Sequence, residues 1–190
     1  AAFITEPTSI IVNNRMNPKP VFRDLAVYLF TSIRTLLLKG RFRLFLQDLS
    51  YFALWRKYRV SSKGTLDYRV PWLVFSSISF LDRWVRRDMR VFEYGSGGST
   101  LYFAAKAGHV VSVEHDKAWY GFARKALVES GVGHIDYALI EPEPLPDGEL
   151  VNCADPTQYV SCFREYSGKE FSAYAKAIDR YADEWFDLVV

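Results

Sequence analysis

The residues of this chain with the clearest chemical purpose lie between Val91 and Thr100, in the run VFEYGSGGST. A short apolar stretch of β type runs straight into Gly95, Ser96, Gly97 and Gly98, and a helical pattern follows. Glycines at such a turn let the backbone adopt positive φ and come close to a ligand. The helix start behind them offers unpaired N–H groups and the positive end of a dipole. Glu93 stands two residues before the first glycine. Glu114 closes the next β-type run, HVVSVE, 19 residues after Gly95, and His115 follows it. An acid there can accept both hydroxyls of an adenosine ribose, whichever cofactor carries the adenosine. A dinucleotide turn would read GxGxxG. Gly95 and Gly97 fit that pattern, but Thr100 stands where the last glycine belongs.

The combination VFEYGSGGST and VVSVEHD resembles motif I and the next motif of class I S-adenosylmethionine-dependent methyltransferases. Those motifs read acid-x-Gly-x-Gly-x-Gly, then a strand ending in an acid. EYGSG, then ST, then SVEHD with Trp119 behind it are similar to a bacterial subgroup of that superfamily. FDLVV at 186–190 resembles the fourth-strand motif, and the likeness covers about residues 68–190. The resemblance implies a Rossmann-like parallel sheet and bound S-adenosylmethionine. Glu93 would hold the methionine amino group, directly or through water. Gly95, Ser96 and Gly97 would line the amino-acid end; Tyr94, Ser99 and Thr100 are expected among the cofactor-binding residues, with Ser99 replacing the third family glycine. Glu114 would bind the ribose hydroxyls, with His115 near the adenine. The acid that follows the fourth strand in that family, and its last three strands, do not follow Val190. The chain is therefore expected to be a piece of a longer protein.

Several neighbours of these residues have plainer expected roles. Asp116 suits the N-cap of the next helix. Trp72, Tyr102 and Trp119 stand at helical positions and are expected in the core, although each could stack on an adenine. His109 precedes a strand and His134 sits beside Gly133, so neither is nominated as a base. Methyl transfer asks mainly that nucleophile and methyl group be held in line, and a base is needed only for a protonated nucleophile. No catalytic residue is named.

The elements around the motif alternate. MRVFEY (89–94), HVVSVE (109–114), IDYALI (135–140) and FDLVV (186–190) read as strands, and 100–107, 117–130 and 171–184 as helices. Such alternation predicts an α/β fold: a Rossmann-like parallel sheet of about four strands with right-handed crossovers. Residues 141–168, rich in Pro and Gly, form a long excursion expected to cover something. Residues 1–67 are expected to form an N-terminal helical extension to a cofactor domain at 68–190. Within it, 1–20 read as irregular, 21–38 and 43–58 as amphipathic helices, and 59–69 as a polar linker. A helix opened by Pro71 follows over 71–86. In the first helix Phe22, Leu25, Ala26, Leu29, Ile33, Leu36 and Leu37 make the apolar stripe. In the second, Phe42, Phe45, Leu46, Leu49, Phe52 and Ala53 share a face.

Charge divides the chain. Residues 1–70 carry 12 basic and four acidic residues, whereas 71–190 carry 12 basic and 18 acidic. A basic front with aromatic faces suits either a helical cap or a peripheral contact with an anionic membrane through residues 21–60. The net charge of +2 gives no case for nucleic acid as a partner. Cys153 and Cys162, nine apart, fit no zinc template and read as free thiols in a reducing, cytoplasmic setting. No metal site is expected. The function expected is methyl transfer from S-adenosylmethionine to a small-molecule, glycan or lipid acceptor. A non-catalytic cofactor-binding or interaction fragment is the alternative, and an NAD-dependent oxidoreductase a weaker one.

Overall fold

The computed structural model describes residues 21–35, 37–146 and 151–190. The reading of 1–20 as irregular lies outside them, as does Leu36. The chain divides into two compact units, one ending at Trp84 and the other spanning Val85–Val190. Most of the helix expected over 71–86 lies in the front unit, just ahead of the division.

The front unit is helical: α1 (Val21–Thr35), α2 (Phe42–Ser50), α3 (Phe52–Val60), α4 (Thr65–Tyr68) and α5 (Phe75–Trp84). The second amphipathic segment is two helices that meet at Tyr51, and α4 forms inside the expected linker. Pro71 is buried ahead of α5 instead of opening it. The core is aromatic, with Tyr28, Trp55 and Phe75 at its centre and Tyr51, Phe52, Tyr58 and Ile78 packed against them. Burying one such side chain is worth roughly 1.5–3 kcal/mol.

The stripe that α1 buries is not the apolar one. Asp24, Tyr28 and Ser32, each four apart, are its buried residues, while Phe22, Val27, Phe30 and Ile33 are exposed. Leu25 and Leu29 are half-buried. The polar stripe goes inward because every member finds a partner there. Asp24 lies 3.2 Å from Arg59 and 3.6 Å from Arg56. The Tyr28 hydroxyl donates to the Asp48 carbonyl at 2.6 Å, and the Ser32 hydroxyl donates to the Asp48 carboxylate. A buried polar group is tolerated when it is hydrogen-bonded or charge-paired. In α2, likewise, Phe42 and Leu46 of the expected shared face are exposed, as is Ala53 at the start of α3.

The second unit is the α/β fold that the alternation predicted. A parallel sheet runs in the order β3-β2-β1-β6, with β1 (Arg90–Tyr94), β2 (His109–Glu114), β3 (Ile135–Leu139) and β6 (Leu188–Val189). Between β1 and β2 lies α6 (Gly98–Ala104), and between β2 and β3 lies α7 (Lys117–Ser130). Asp116 caps α7 by accepting from the Trp119 N–H at 2.8 Å, and Gly131 ends it at φ 69°. Gly108 is obligatory for packing, because a Cβ there would meet the Arg87 carbonyl oxygen at 2.3 Å. Phe92, Val111, Val113 and Ala177 form the core on one face of the sheet.

The excursion carries β4 (Glu143–Pro144) paired antiparallel with β5 (Lys169–Glu170), and a bridge from Val160 to Glu170. Within it Cys153 and Cys162 form a disulfide. The free-thiol reading is thereby corrected: the paired strands and the bridge fold this arm back until the two sulfurs meet. Such a bond belongs to oxidising surroundings, so the cysteines no longer argue for a reducing compartment. The helix expected over 171–184 is also shorter. It is α8 (Ser172–Ala175), continued as a 3-10 helix over Lys176–Arg180. No described helix is long and apolar enough to cross a membrane.

Candidate functional site

In an open parallel sheet, ligands sit beyond the carboxyl ends of the strands where the strand order reverses. Here the reversal is at β1, which pairs β2 on one side and β6 on the other. The glycine turn grows from that strand end. Gly95 has φ 79° and Gly97 φ 157°, both in the region that favours glycine. A Cβ added to Gly95 would meet no atom within 4 Å, so the turn is open there.

Beneath the turn is a buried polar chain. The Gly97 N–H donates to the Thr100 hydroxyl at 3.0 Å, and that hydroxyl donates to Glu93 Oε2 at 2.6 Å. Ser112, opposite Glu93 across the β1–β2 ladder, donates its hydroxyl to the same oxygen at 2.7 Å. Glu93 is 1% exposed, and its Oε1 has no hydrogen-bond partner. Burial raises its pKa above the ordinary value of 4.5; the hydroxyls of Ser99, Thr100 and Ser112 work against the rise, and the Glu114 charge adds to it.

Glu114 ties the turn to the end of β2. Its Oε2 accepts from the Ser96 N–H at 2.9 Å and the Ser96 hydroxyl at 2.8 Å. Its Oε1 accepts from the main-chain N–H groups of His115 at 2.8 Å and Asp116 at 2.9 Å. The Ser96 hydroxyl also meets the Tyr137 hydroxyl at 2.6 Å. On the far side of the turn, the Trp119 indole N–H donates to the Ser96 carbonyl at 2.8 Å. Burial pushes the Tyr137 hydroxyl well above the usual tyrosine range, with the Glu114 charge helping and Ser96 opposing.

The excursion and α8 wall the site with aromatic rings. Tyr166, Phe171 and Tyr174 each lie edge-on to His115, with centroids 5.3–5.5 Å away. His115 Nε2 lies 3.0 Å from the Tyr166 hydroxyl. The expected cofactor residues thus fall into two groups. Glu93, Gly95, Ser96, Gly97, Ser99, Thr100, Glu114 and His115 gather at the end of β1 and β2. The Tyr94 ring lies on the other face of the sheet and donates its hydroxyl to the Ala175 carbonyl at 2.6 Å, so it holds α8 in place. Tyr102 is core, and Trp72 is exposed in the front unit. His109 pairs with Asp136 at 3.1 Å, and His134 Nε2 lies 2.7 Å from the Ala104 carbonyl oxygen, both at the opposite ends of their strands.

Sequence reasoning left out Ser112, Tyr137, Tyr166, Phe171 and Tyr174. For Ser112 a signal existed: a lone hydroxyl in an apolar strand, two residues before Glu114. The aromatic wall comes from the excursion, whose path no local pattern sets.

These residues fit an adenosyl ligand with an amino-acid end. The unpartnered Glu93 Oε1 is a buried acceptor of the kind an ammonium group satisfies. A carboxylate offers about four acceptor positions, and those of Glu114 are taken by three fixed main-chain N–H groups, of Ser96, His115 and Asp116, and by the Ser96 hydroxyl. The Ser96 hydroxyl alone among them can rotate away and yield its place to a ribose hydroxyl. On the face of the sheet opposite Glu93 and Ser112, a cavity of about 240 Å³ is lined by Phe92, Val111 and Val113.

No protein-family model matches the chain, and neither does any curated protein. Solved structures are similar to parts of it. The YcgJ protein from Bacillus subtilis is 19% identical at a TM-score of 0.30, over 37% of this chain and 34% of that one. A tRNA methyltransferase from Aquifex aeolicus is 19% identical at a TM-score of 0.30, over 40% and 36%. The 23S rRNA methyltransferase ErmE is 28% identical at a TM-score of 0.27, over 33% and 27%. This chain spans between about a quarter and about a third of each of those proteins, and likenesses this partial fix neither ligand nor reaction.

Proposed function

We propose that the second unit binds S-adenosylmethionine at the carboxyl ends of β1 and β2 and serves methyl transfer to a small-molecule, glycan or lipid acceptor. The observation that carries this reading is the pairing of two buried carboxylates across one open glycine turn. Glu93 has an acceptor oxygen to spare, and Glu114 has one donor it can release. S-adenosylmethionine, when bound, supplies an electrophilic methyl group that an acceptor takes by in-line displacement. Glu93 would hold the amino group and Glu114 the ribose. The His115, Tyr166, Phe171 and Tyr174 rings would exclude water and offer faces to the adenine. Trp119 would keep the Ser96 carbonyl, and so the turn, in place. The NAD reading is disfavoured because Thr100, fully buried, is built into the turn by its bonds to Gly97 and Glu93.

The test is calorimetric titration of the chain with S-adenosylhomocysteine, with NAD as control. Micromolar binding of the first and none of the second is expected. Glu114→Ala should abolish it, and Ser96→Ala, which frees an acceptor position on Glu114, should bind as well or better. Binding of NAD alone, or equal binding by Glu114→Ala and the parent chain, sinks the reading.

A further inference from the structure

We propose that the front unit docks on an anionic lipid bilayer through the outward faces of α1 and α2. The surface follows from the inversion of α1. With Asp24, Tyr28 and Ser32 turned inward, Phe22, Ala26, Phe30 and Ile33 form one exposed apolar stripe at helical spacing, and Arg23 and Arg34 flank it. Phe22 is 84% exposed and Phe30 67%. The chain beyond continues in kind: Leu38, Phe42, Leu44 and Leu46 are exposed, interleaved with Lys39, Arg41 and Arg43. Large exposed apolar patches mark interaction sites, because water makes them costly to leave open.

The charges decide what covers this one. Residues 21–60 hold eight basic and two acidic residues, and both acids are engaged inside the unit, Asp24 by Arg56 and Arg59 and Asp48 by Ser32. Arg23, Arg34, Lys39, Arg41 and Arg43 have no acidic partner among the described residues. A second copy would set these cations against themselves across an isologous interface. RNA would meet the cations but leave the aliphatic side chains Ile33, Leu38, Leu44 and Leu46 without a use. An anionic bilayer satisfies both at once: apolar side chains enter the acyl boundary while the cations meet the headgroups. This docking surface stands independently of the methyl-transfer reading.

The experiment is sedimentation of the full chain with vesicles of phosphatidylcholine, alone or containing phosphatidylglycerol. Pelleting with the anionic vesicles, weakened by salt, is expected. Since one basic residue at an anionic surface contributes about fivefold, Arg41→Glu with Arg43→Glu should cut the partition at least about tenfold. Phe22→Ser with Phe30→Ser should cut it too, and these exposed positions leave the circular-dichroism melt unchanged. No pelleting with anionic vesicles overturns the proposal, as does pelleting unaffected by either pair. So does a dimer that the Phe22/Phe30 variant dissolves in the absence of lipid binding, or binding of poly(U) RNA without binding of vesicles.

Discussion

Glu93 and Glu114 are the same residue type near the ends of neighbouring strands, yet their surroundings give them different characters. Glu114 accepts hydrogen bonds at both oxygens, from Ser96 at one and from His115 and Asp116 at the other. Glu93 is sealed under the turn with one oxygen unpartnered, and burial favours its neutral form. The consequence for stability has a definite sign. A carboxyl whose folded pKa is raised binds its proton more tightly folded than unfolded. Its stabilising contribution is present below the unfolded pKa, ordinarily 4.5, and is lost as pH rises through the folded one. Urea denaturation over a pH series should therefore show the parent chain losing stability across that window. Glu93→Gln, with no proton to lose, should lack that component. Identical pH slopes in the two proteins would show that Glu93 is not held neutral.

Among the elements, the excursion is the one whose placement the site depends on. The β4–β5 pair, the Val160–Glu170 bridge and the Cys153–Cys162 disulfide shape an arm, and that arm brings Tyr166 and Phe171 against His115. The Phe171 N–H donates to the Tyr159 carbonyl at 2.7 Å, which fixes the arm's return to α8. Closing a loop of this size by a disulfide is worth about 2–3 kcal/mol against the open arm. Cys153→Ser, or a reductant, should therefore raise amide hydrogen exchange over 151–171. It should leave α7 and the sheet protected, and it should weaken S-adenosylhomocysteine binding as the ring wall loosens. Unchanged exchange in the arm would show that the disulfide constrains nothing.

The whole molecule shows which parts of a fold a sequence announces. The β1–α6–β2–α7–β3 stretch was legible because local signals agree there. Strand and helix periods alternate, Asp116 caps α7 as expected, and the glycine turn marks where the sheet opens. The failures share a cause, which is that a contact distant in sequence overrode a local pattern. Counting apolar residues placed Phe22 and Ile33 inside α1, but Arg56, Arg59 and Asp48 lie 16 to 35 residues downstream of their partners and reward burying the polar stripe. Ring contacts of Tyr94 with Tyr174 and of Tyr181 with Phe186 anchor the segment after Phe171, where a helix was expected to run on to Glu184. The disulfide had no sequence signal, because it depends on strands only two residues long.

The two units have separate cores, and this separation predicts how ligand and mutation combine. Tyr28 anchors one core and Phe92, fully buried among Tyr94, Tyr181 and Phe186, anchors the other. Removing a buried aromatic side chain costs about 3–5 kcal/mol. A ligand stabilises what it binds by about 2.7 kcal/mol at a hundred times its dissociation constant. S-adenosylhomocysteine sits, on the reading above, at the turn that β1 feeds. Phe92→Ala should therefore weaken its binding as well as destabilise the sheet unit. Tyr28→Ala should destabilise the helical unit and leave the binding constant unchanged, since effects at sites without shared partners add. Calorimetric titration of both variants, beside their thermal unfolding, checks this. Equal losses of affinity would mean that the helical unit supports the cofactor turn, and the turn's geometry would then have to be explained by more than the sheet.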